Sequence, residues 1–572
     1  MYSHIKILSA LGHLVRPRSQ APCSQNSSYR TTMEEVRLSI TEKNYGRDDQ
    51  KAKQLLPKPY GSLNLTSSRL EFRGRDEGPE VSVPLAWILN VELVDEDQLI
   101  IHFVARGDDE DFYFFHFRRM SVSFPCETHR RDMLMRLEQA LIPIRKLRPK
   151  KLFVILNPRA GWGQSAQVFE EVASPLLAIA GVEIERHDVA PGEDIRDILA
   201  ERENLETEFD GILTAGGDGT HNAIFNGLVK RSGCQLDGEN PRLPKLKIPV
   251  GILPTGSGNG TSLALNMSHD IQSCVINIIL GHKRAMDLLT IHDPSRDNRF
   301  ITAAHMMVQI VAVNSVAQSL EKLRFLGPFR YLVAFFFLAT SKVPVFPVVQ
   351  YRPIRRDPGH VCFVEEVDGK MVECPFCASI AANDETDDDV LDGELGEWQS
   401  LDREDGVRSG SVNFDALRWF LPLKGVGAAW NSSRLHLANG SLKLTLSNTL
   451  GVGNFLKFFW CWYADLTASR LFNPPQCAID VAREARVRMA FPFPIGIDGE
   501  IQAENHQELY VKAHKCVAEG FGTGVVDGHP DVSSLNTVMK VRRIMITFLT
   551  LIAVAIVTLA LGVTYVVSMI TA

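Results

Sequence analysis

Basic charge is not in excess: 61 Lys and Arg stand against 68 Asp and Glu, for a formal net charge of −7. That balance gives no footing for a polyanion-binding surface, so nucleic acid is not an expected partner. The cysteines form no framework. Ten are scattered over 572 residues, which reads as free thiols in a reducing compartment. One C-x-x-C, Cys374 and Cys377, has only His360 and Cys362 at hand as further ligands, and a zinc site is not expected there. The glycine-rich turns of the chain also lack two common phosphate-loop signatures. None continues into Gly-Lys-Ser/Thr, and none fits G-x-G-x-x-G. A hydrophobic content of 45% excludes a chain disordered throughout.

The length suggests about three or four domains. Residues 1–32 carry Lys6, Arg16, Arg18 and Arg30 and no acid. They read as a disordered leader, with a transit peptide as the other reading and Met33 as an alternative start. Residues 33–148 form the next unit. Within it, Arg69–Arg73, Pro79–Pro84, Leu99–Phe103 and Asp111–Phe117 alternate as strands do. Glu127–Leu141 then places Met133, Met135, Leu137 and Leu141 at helical spacing. Strands closed by one helix suggest a small pleckstrin-like domain. No strand loop carries a convincing basic cluster, so a packing module is expected rather than a phosphoinositide reader.

Residues 149–290 alternate strand and helix. Three apolar strands, Lys151–Leu156, one ending in Gly211–Leu213, and Pro249–Leu253, run into three turns: Asn157-Pro158-Arg159-Ala160-Gly161, Thr214-Ala215-Gly216-Gly217-Asp218-Gly219-Thr220 and Pro254-Thr255-Gly256-Ser257-Gly258-Asn259. The pattern predicts a parallel sheet, with all three turns at the carboxyl ends of its strands, where open α/β sheets bind ligands. Glycines allow close backbone approach to a phosphate, and a helix N-terminus supplies free N–H groups. Two readings of Asp218 stand: it caps its helix, or it takes a proton from an attacking hydroxyl beside the phosphates.

The ordered set Asn-Pro-Arg-x-Gly, Gly-Gly-Asp-Gly-Thr, Pro-Thr-Gly-Ser-Gly-Asn and Ile497-Asp498-Gly499-Glu500 resembles the lipid kinases of the diacylglycerol kinase-like superfamily. Within it the chain is most similar to sphingosine kinases, with ceramide kinases close behind. The resemblance covers residues 150–520, and Gly-Gly-Asp-Gly alone also occurs in NAD kinases. It implies a kinase using ATP and Mg2+ on a lipid hydroxyl, with Asp218 as catalytic base. It implies nucleotide binding by Asn157, Pro158, Arg159, Gly216, Gly217, Gly219, Thr220, Thr255, Gly256, Ser257, Gly258, Asn259, Arg324, Arg330, Asp498, Gly499 and Glu500. Glu500 would meet Mg2+ through the nucleotide. Asp218, Gly219 and Ala317 would lie on the lipid.

The chain departs from that pattern in places. Ala223 stands where the family usually carries glutamate, and Trp162 and Gln164 stand where sphingosine kinases are lysine-rich. Asn314 to Gln318 hold no carboxylate for a cationic amine. An unmatched buried ammonium forgoes a charge-assisted hydrogen bond, about 1.5–3 kcal/mol. Overall similarity thus favours a sphingoid base, and the missing acids favour a neutral ceramide or diacylglycerol headgroup. A third reading is a membrane-anchored binding protein of little activity.

Residues 291–525 read as a β-rich lipid-binding domain, interrupted by an acidic, mobile insertion at 383–410. Asp287, just before it, is read as a surface or capping acid, while the resemblance implies that it falls in a strand leaving the nucleotide domain. The apolar run before Thr340 suits an acyl pocket or an ordinary core helix. A linker, 526–543, precedes 544–570, which carry no charge and follow Lys540, Arg542 and Arg543. That stretch exceeds the ~20 apolar residues needed to cross a bilayer. It is expected to be a C-terminal transmembrane anchor with the upstream chain in the cytosol, the endoplasmic reticulum being favoured. The oligomeric state is not legible.

Overall fold

The computed structural model describes residues 31–311 apart from 44, 46–51, 57–58, 76–79, 95–97, 108–113, 162, 257–258 and 267. It also describes 348–353, 364–367, 370–373, 395–401, 411–415, 440, 442–447 and 476–522.

The first unit is an eight-stranded antiparallel sheet, with Thr31–Glu42 near its middle between Tyr60–Leu65 and Phe115–Ser123. Alternation puts Val36, Leu38 and Ile40 on the buried face. The strand takes in the last two residues of the expected leader, Thr31 and Thr32. Helix Glu127–Arg145 closes the unit with Met133, Leu137 and Leu141 at four-residue steps. Met135 was expected on that stripe but is 55% exposed. Two positions along a helix turn a side chain to the far face, so 133 and 135 cannot share one. The unit sits on helix Ile271–Ile279. Gln272 donates to the Phe115 carbonyl at 2.6 Å and accepts from the Tyr45 N–H at 2.6 Å, and Ser273 Oγ accepts from the Phe115 N–H at 2.8 Å.

The second sheet has 13 strands among the described residues. Glu183–Asp188, Lys151–Leu156, Gly211–Gly216 and Val250–Pro254 lie side by side and parallel, in that order. The near-continuous apolar sequences of the last three follow from burial on both faces, whereas Glu183–Asp188, at the sheet edge, is polar and largely exposed. Register aligns Leu156 with Ala215 and Gly216 with Pro254, so all three turns leave the sheet at one edge.

The sheet does not stop at the expected domain boundary. Val250 pairs in parallel with Gly520 of the long strand Glu500–Phe521, which in turn pairs antiparallel with Lys283–Asp293 and Gln476–Ile497. The β-rich part is therefore built onto the edge of the parallel strands. Asp287, one reading of which was a surface acid, is fully buried at a bulge of this pairing, where it accepts from the Gly440 and Cys516 amides at 2.6 and 2.9 Å. Within the expected acidic insertion, Gln399–Leu401 is a strand paired with Val348–Pro353.

No helix among the described residues is long and apolar enough to cross a membrane. The 544–570 stretch, the run before Thr340 and the C-x-x-C lie outside the described residues.

Candidate active site

Gly217 joins strand Gly211–Gly216 to helix Asp218–Ser232, whose N-terminus has no side-chain cap. The first-turn amides are thus available to an anion, and the helix dipole adds to them. Gly256 of the neighbouring turn is pressed against Gly217: a Cβ on either would run into the other's Cα. Asn259, at φ 56°, ties that turn together. Its Oδ1 accepts from the Gly256 N–H at 2.9 Å, and its Nδ2 donates to the Pro254 and Gly256 carbonyls at 3.1 and 2.9 Å. Asn157 links the first turn to the second. Its Nδ2 donates to Thr220 Oγ1 at 3.0 Å and its Oδ1 accepts from the Arg159 N–H at 3.1 Å. Pro158 and Arg159 are exposed beside it, and Thr255 Oγ1 lies 2.9 Å from Ser165 Oγ.

Asp218 does not cap its own helix. Its carboxylate reaches across to the next one, Gly260–Asn266. Oδ2 accepts from the Gly260 N–H at 3.0 Å, and Oδ1 accepts from the Thr261 N–H and Oγ1–H at 2.9 and 2.8 Å. The carboxylate is half-buried and fixed by three donors, at the junction of two glycine turns.

Asp498 and Glu500, three positions spanning one turn, have opposite fates. Asp498 is 1% exposed, at φ 49°. Its carboxylate accepts from the amides of His305, Met306 and Met307 at 2.9, 2.9 and 2.7 Å and from Asn222 Nδ2 at 2.7 Å, and His305 Nδ1 lies 2.7 Å away. Burial pushes this carboxyl up, but the charge of His305 and the amide bonds outweigh it and hold it below the ordinary range. Asp498, expected at the nucleotide, has its carboxylate turned inward to the backbone of residues 305–307, because the pairing of Val308 with Ile497 sets the turn against Met307. Gly499 and Glu500 are exposed instead. Glu500 packs over Gly219, where a Cβ would meet its Cγ and Oε1. Ser257, Gly258, Ala317, Arg324 and Arg330 lie outside the described residues.

Four residues that sequence reasoning passed over complete the site. Asn226 accepts from the Ala303 amide at 2.8 Å and Asn222 donates to the Ala303 carbonyl at 2.8 Å, pinning the Asp218 helix to strand Arg299–Ala304. Thr261 Oγ1 lies 2.6 Å from His305 Nε2. The available signals were an Asn pair at i, i+4 and a lone His in an apolar stretch. His221 lies beside His305, ring centroids 5.0 Å apart, and burial, then the His305 charge, hold it neutral. Ala223, in the glutamate position, packs half-buried on the core.

Residues 151–291 match the diacylglycerol kinase catalytic domain family. This region is similar to the catalytic domains of the diacylglycerol kinase-type superfamily. Over 225 residues its kinase-type region is 32% identical to sphingoid long-chain bases kinase 1 of Arabidopsis thaliana, covering 39% of this chain and 27% of that protein. Over 188 residues it is 28% identical to the ceramide kinase of Homo sapiens, covering 32% of this chain and 34% of that protein. The chain thus spans 27% and 34% of the length of these relatives. A diacylglycerol kinase from Bacillus anthracis str. Sterne superposes with a TM-score of 0.39 at 14% identity, over 65% of this chain and 97% of that one.

The kinase-type site fits a polyphosphate. Uncapped amides at the Asp218 helix meet a glycine contact with no room for side chains. It fits a divalent cation less completely. Glu500 is the exposed carboxylate at the turn, and among the described residues no group of three or more ligands stands ready. Such a site suits Mg2+, which is commonly held by one or two carboxylates and the substrate's phosphates.

Proposed function

We propose that this protein transfers the terminal phosphoryl group of ATP to the primary hydroxyl of a sphingoid base. The observation that carries the reading is the Asp218 carboxylate, fixed by three donors where two glycine turns touch. A base so held, next to an anion-binding helix end, is what phosphoryl transfer to a hydroxyl requires. Asp218 accepts the hydroxyl proton while the first-turn amides of residues 218–220 hold phosphate oxygens. Glu500 would hold Mg2+, which would supply charge neutralisation at the phosphates. Arg324 and Arg330 are assigned to the phosphates on sequence similarity.

Ceramide or diacylglycerol is the second reading, favoured by the absence of an acid at 314–318 and by a ceramide kinase among the relatives. The uncharged stretch 544–570 supports membrane attachment, which concentrates the protein at its lipid. The test is transfer from labelled ATP to sphingosine, ceramide and diacylglycerol in mixed micelles, with wild type beside Asp218→Asn. Sphingosine is expected to be preferred, with turnover lost in the variant and ATP binding kept. Preference for a neutral lipid selects the second reading, and nucleotide binding without transfer to any lipid overturns both.

A further inference from the structure

Behind Asp218 runs a chain of side chains from four separate elements. Asp218 Oδ1 is 2.8 Å from Thr261 Oγ1, Thr261 Oγ1 is 2.6 Å from His305 Nε2, and His305 Nδ1 is 2.7 Å from Asp498 Oδ2. Thr261, His305 and Asp498 are at most 1% exposed. A structural tie between helix and turn needs no such continuity: the Asp498 carboxylate is already held by three amides and Asn222.

Donor accounting gives the chain a direction. The Thr261 hydroxyl has one proton and two neighbours that can accept it, Asp218 Oδ1 and His305 Nε2. The Asp498 carboxylate, 2.7 Å from Nδ1, favours the tautomer protonated there. When Nε2 is also protonated it donates to Thr261 Oγ1, and the hydroxyl proton is committed to Asp218. Oδ1 then has two donors and Oδ2 only the Gly260 amide. We propose that Thr261 and His305, backed by Asp498, are positioning residues that tie down Asp218 Oδ1 and leave Oδ2 as the oxygen facing the acceptor hydroxyl. On transfer the lipid O–H bond breaks, its proton goes to Oδ2, and the lipid oxygen bonds to the phosphorus as ADP leaves. This rests on Asp218 being the base, as proposed above.

The charged and titratable groups around His305 are Asp498, His221 and, through Thr261, Asp218. His269 also feels the Asp218 charge, and Glu500 lies over Gly219. The experiment is the pH dependence of kcat/KM for the full chain in mixed micelles, with ATP and whichever of the three lipids the wild type phosphorylates. Thr261→Val and His305→Leu each remove a donor to the ionised carboxylate or the group that directs it. Each is expected to raise the acid limb by about one pH unit and to lower kcat about tenfold, with KM for ATP unchanged. Thr261→Ser restores the wild-type limb. His305→Gln, which can still donate to Thr261, falls between. The double variant shifts the limb no further than the larger single one, since His305 acts through Thr261. An unmoved limb in Thr261→Val, with Asp218→Asn inactive, overturns this proposal and leaves the base assignment standing. An active Asp218→Asn overturns both. If His305→Leu does not fold, the nearly isosteric Thr261→Val and Thr261→Ser pair decides alone.

Discussion

Glycines in this site differ in what surrounds them. Gly256 faces backbone, the Cα of Gly217, whereas Gly219 faces the end of the Glu500 side chain. Backbone held in a parallel sheet cannot retreat, but a surface glutamate can rotate. Gly256→Ala is therefore expected to weaken ATP binding by about tenfold or more, and Gly219→Ala by about threefold or less. Titration of a fluorescent ATP analogue compares them directly. Equal losses would mean that the two turns do not share one ligand.

At the scale of elements, strand Thr31–Glu42 is held to Phe115–Ser123 by more than its ladder. Glu42 Oε2 accepts from Arg118 Nε at 3.0 Å, and Oε1 lies 3.3 Å from His116 Nδ1. Burial pushes the Glu42 carboxyl up, but His116 and Arg118 outweigh it and bring it to about 2. A folded-state value below the unfolded one stabilises at pH above the unfolded value and is lost as pH falls through the folded one. Glu42→Gln should accordingly speed hydrogen exchange in residues 31–42 at pH 7. The difference from wild type should persist down to about pH 4.5 and shrink below it. A difference that grows in acid would contradict the assignment.

For the whole molecule, the continuous sheet has a cost for anything cut at the sequence boundary. Phe521, Val517 and Ala518 from the end of the chain's last described strand are fully buried in the cores around the parallel strands, alongside Leu253, Met286 and Leu288. A chain ending at residue 300 leaves those surfaces and one edge of Val250–Pro254 uncovered. Exposed apolar edges aggregate. Such a truncation is expected to be insoluble, and adding residues 476–522 in trans should recover soluble protein. A soluble, cooperatively unfolding 149–300 fragment would show the two parts to be independent.

Local pattern by itself was enough for the three strand–turn–helix units, because burial on both faces makes parallel strands continuously apolar and tight turns demand glycine. It also gave the helix after the antiparallel strands, though not which of Met133 and Met135 faces inward. It proposed Asp218 as functional but could not choose its partners. Those lie 42 and 43 positions away at Gly260 and Thr261, brought close only when strand register sets two turns side by side. The two acids of the Asp498–Glu500 turn look alike in sequence. The structure sends one inward, to the amides of residues 305–307, and the other outward, over Gly219. Asp287 is decided the same way, by Gly440 and Cys516. A carboxylate's role depends on which donors reach it, and donors more than a hundred residues distant are supplied by tertiary packing rather than by the neighbouring residues.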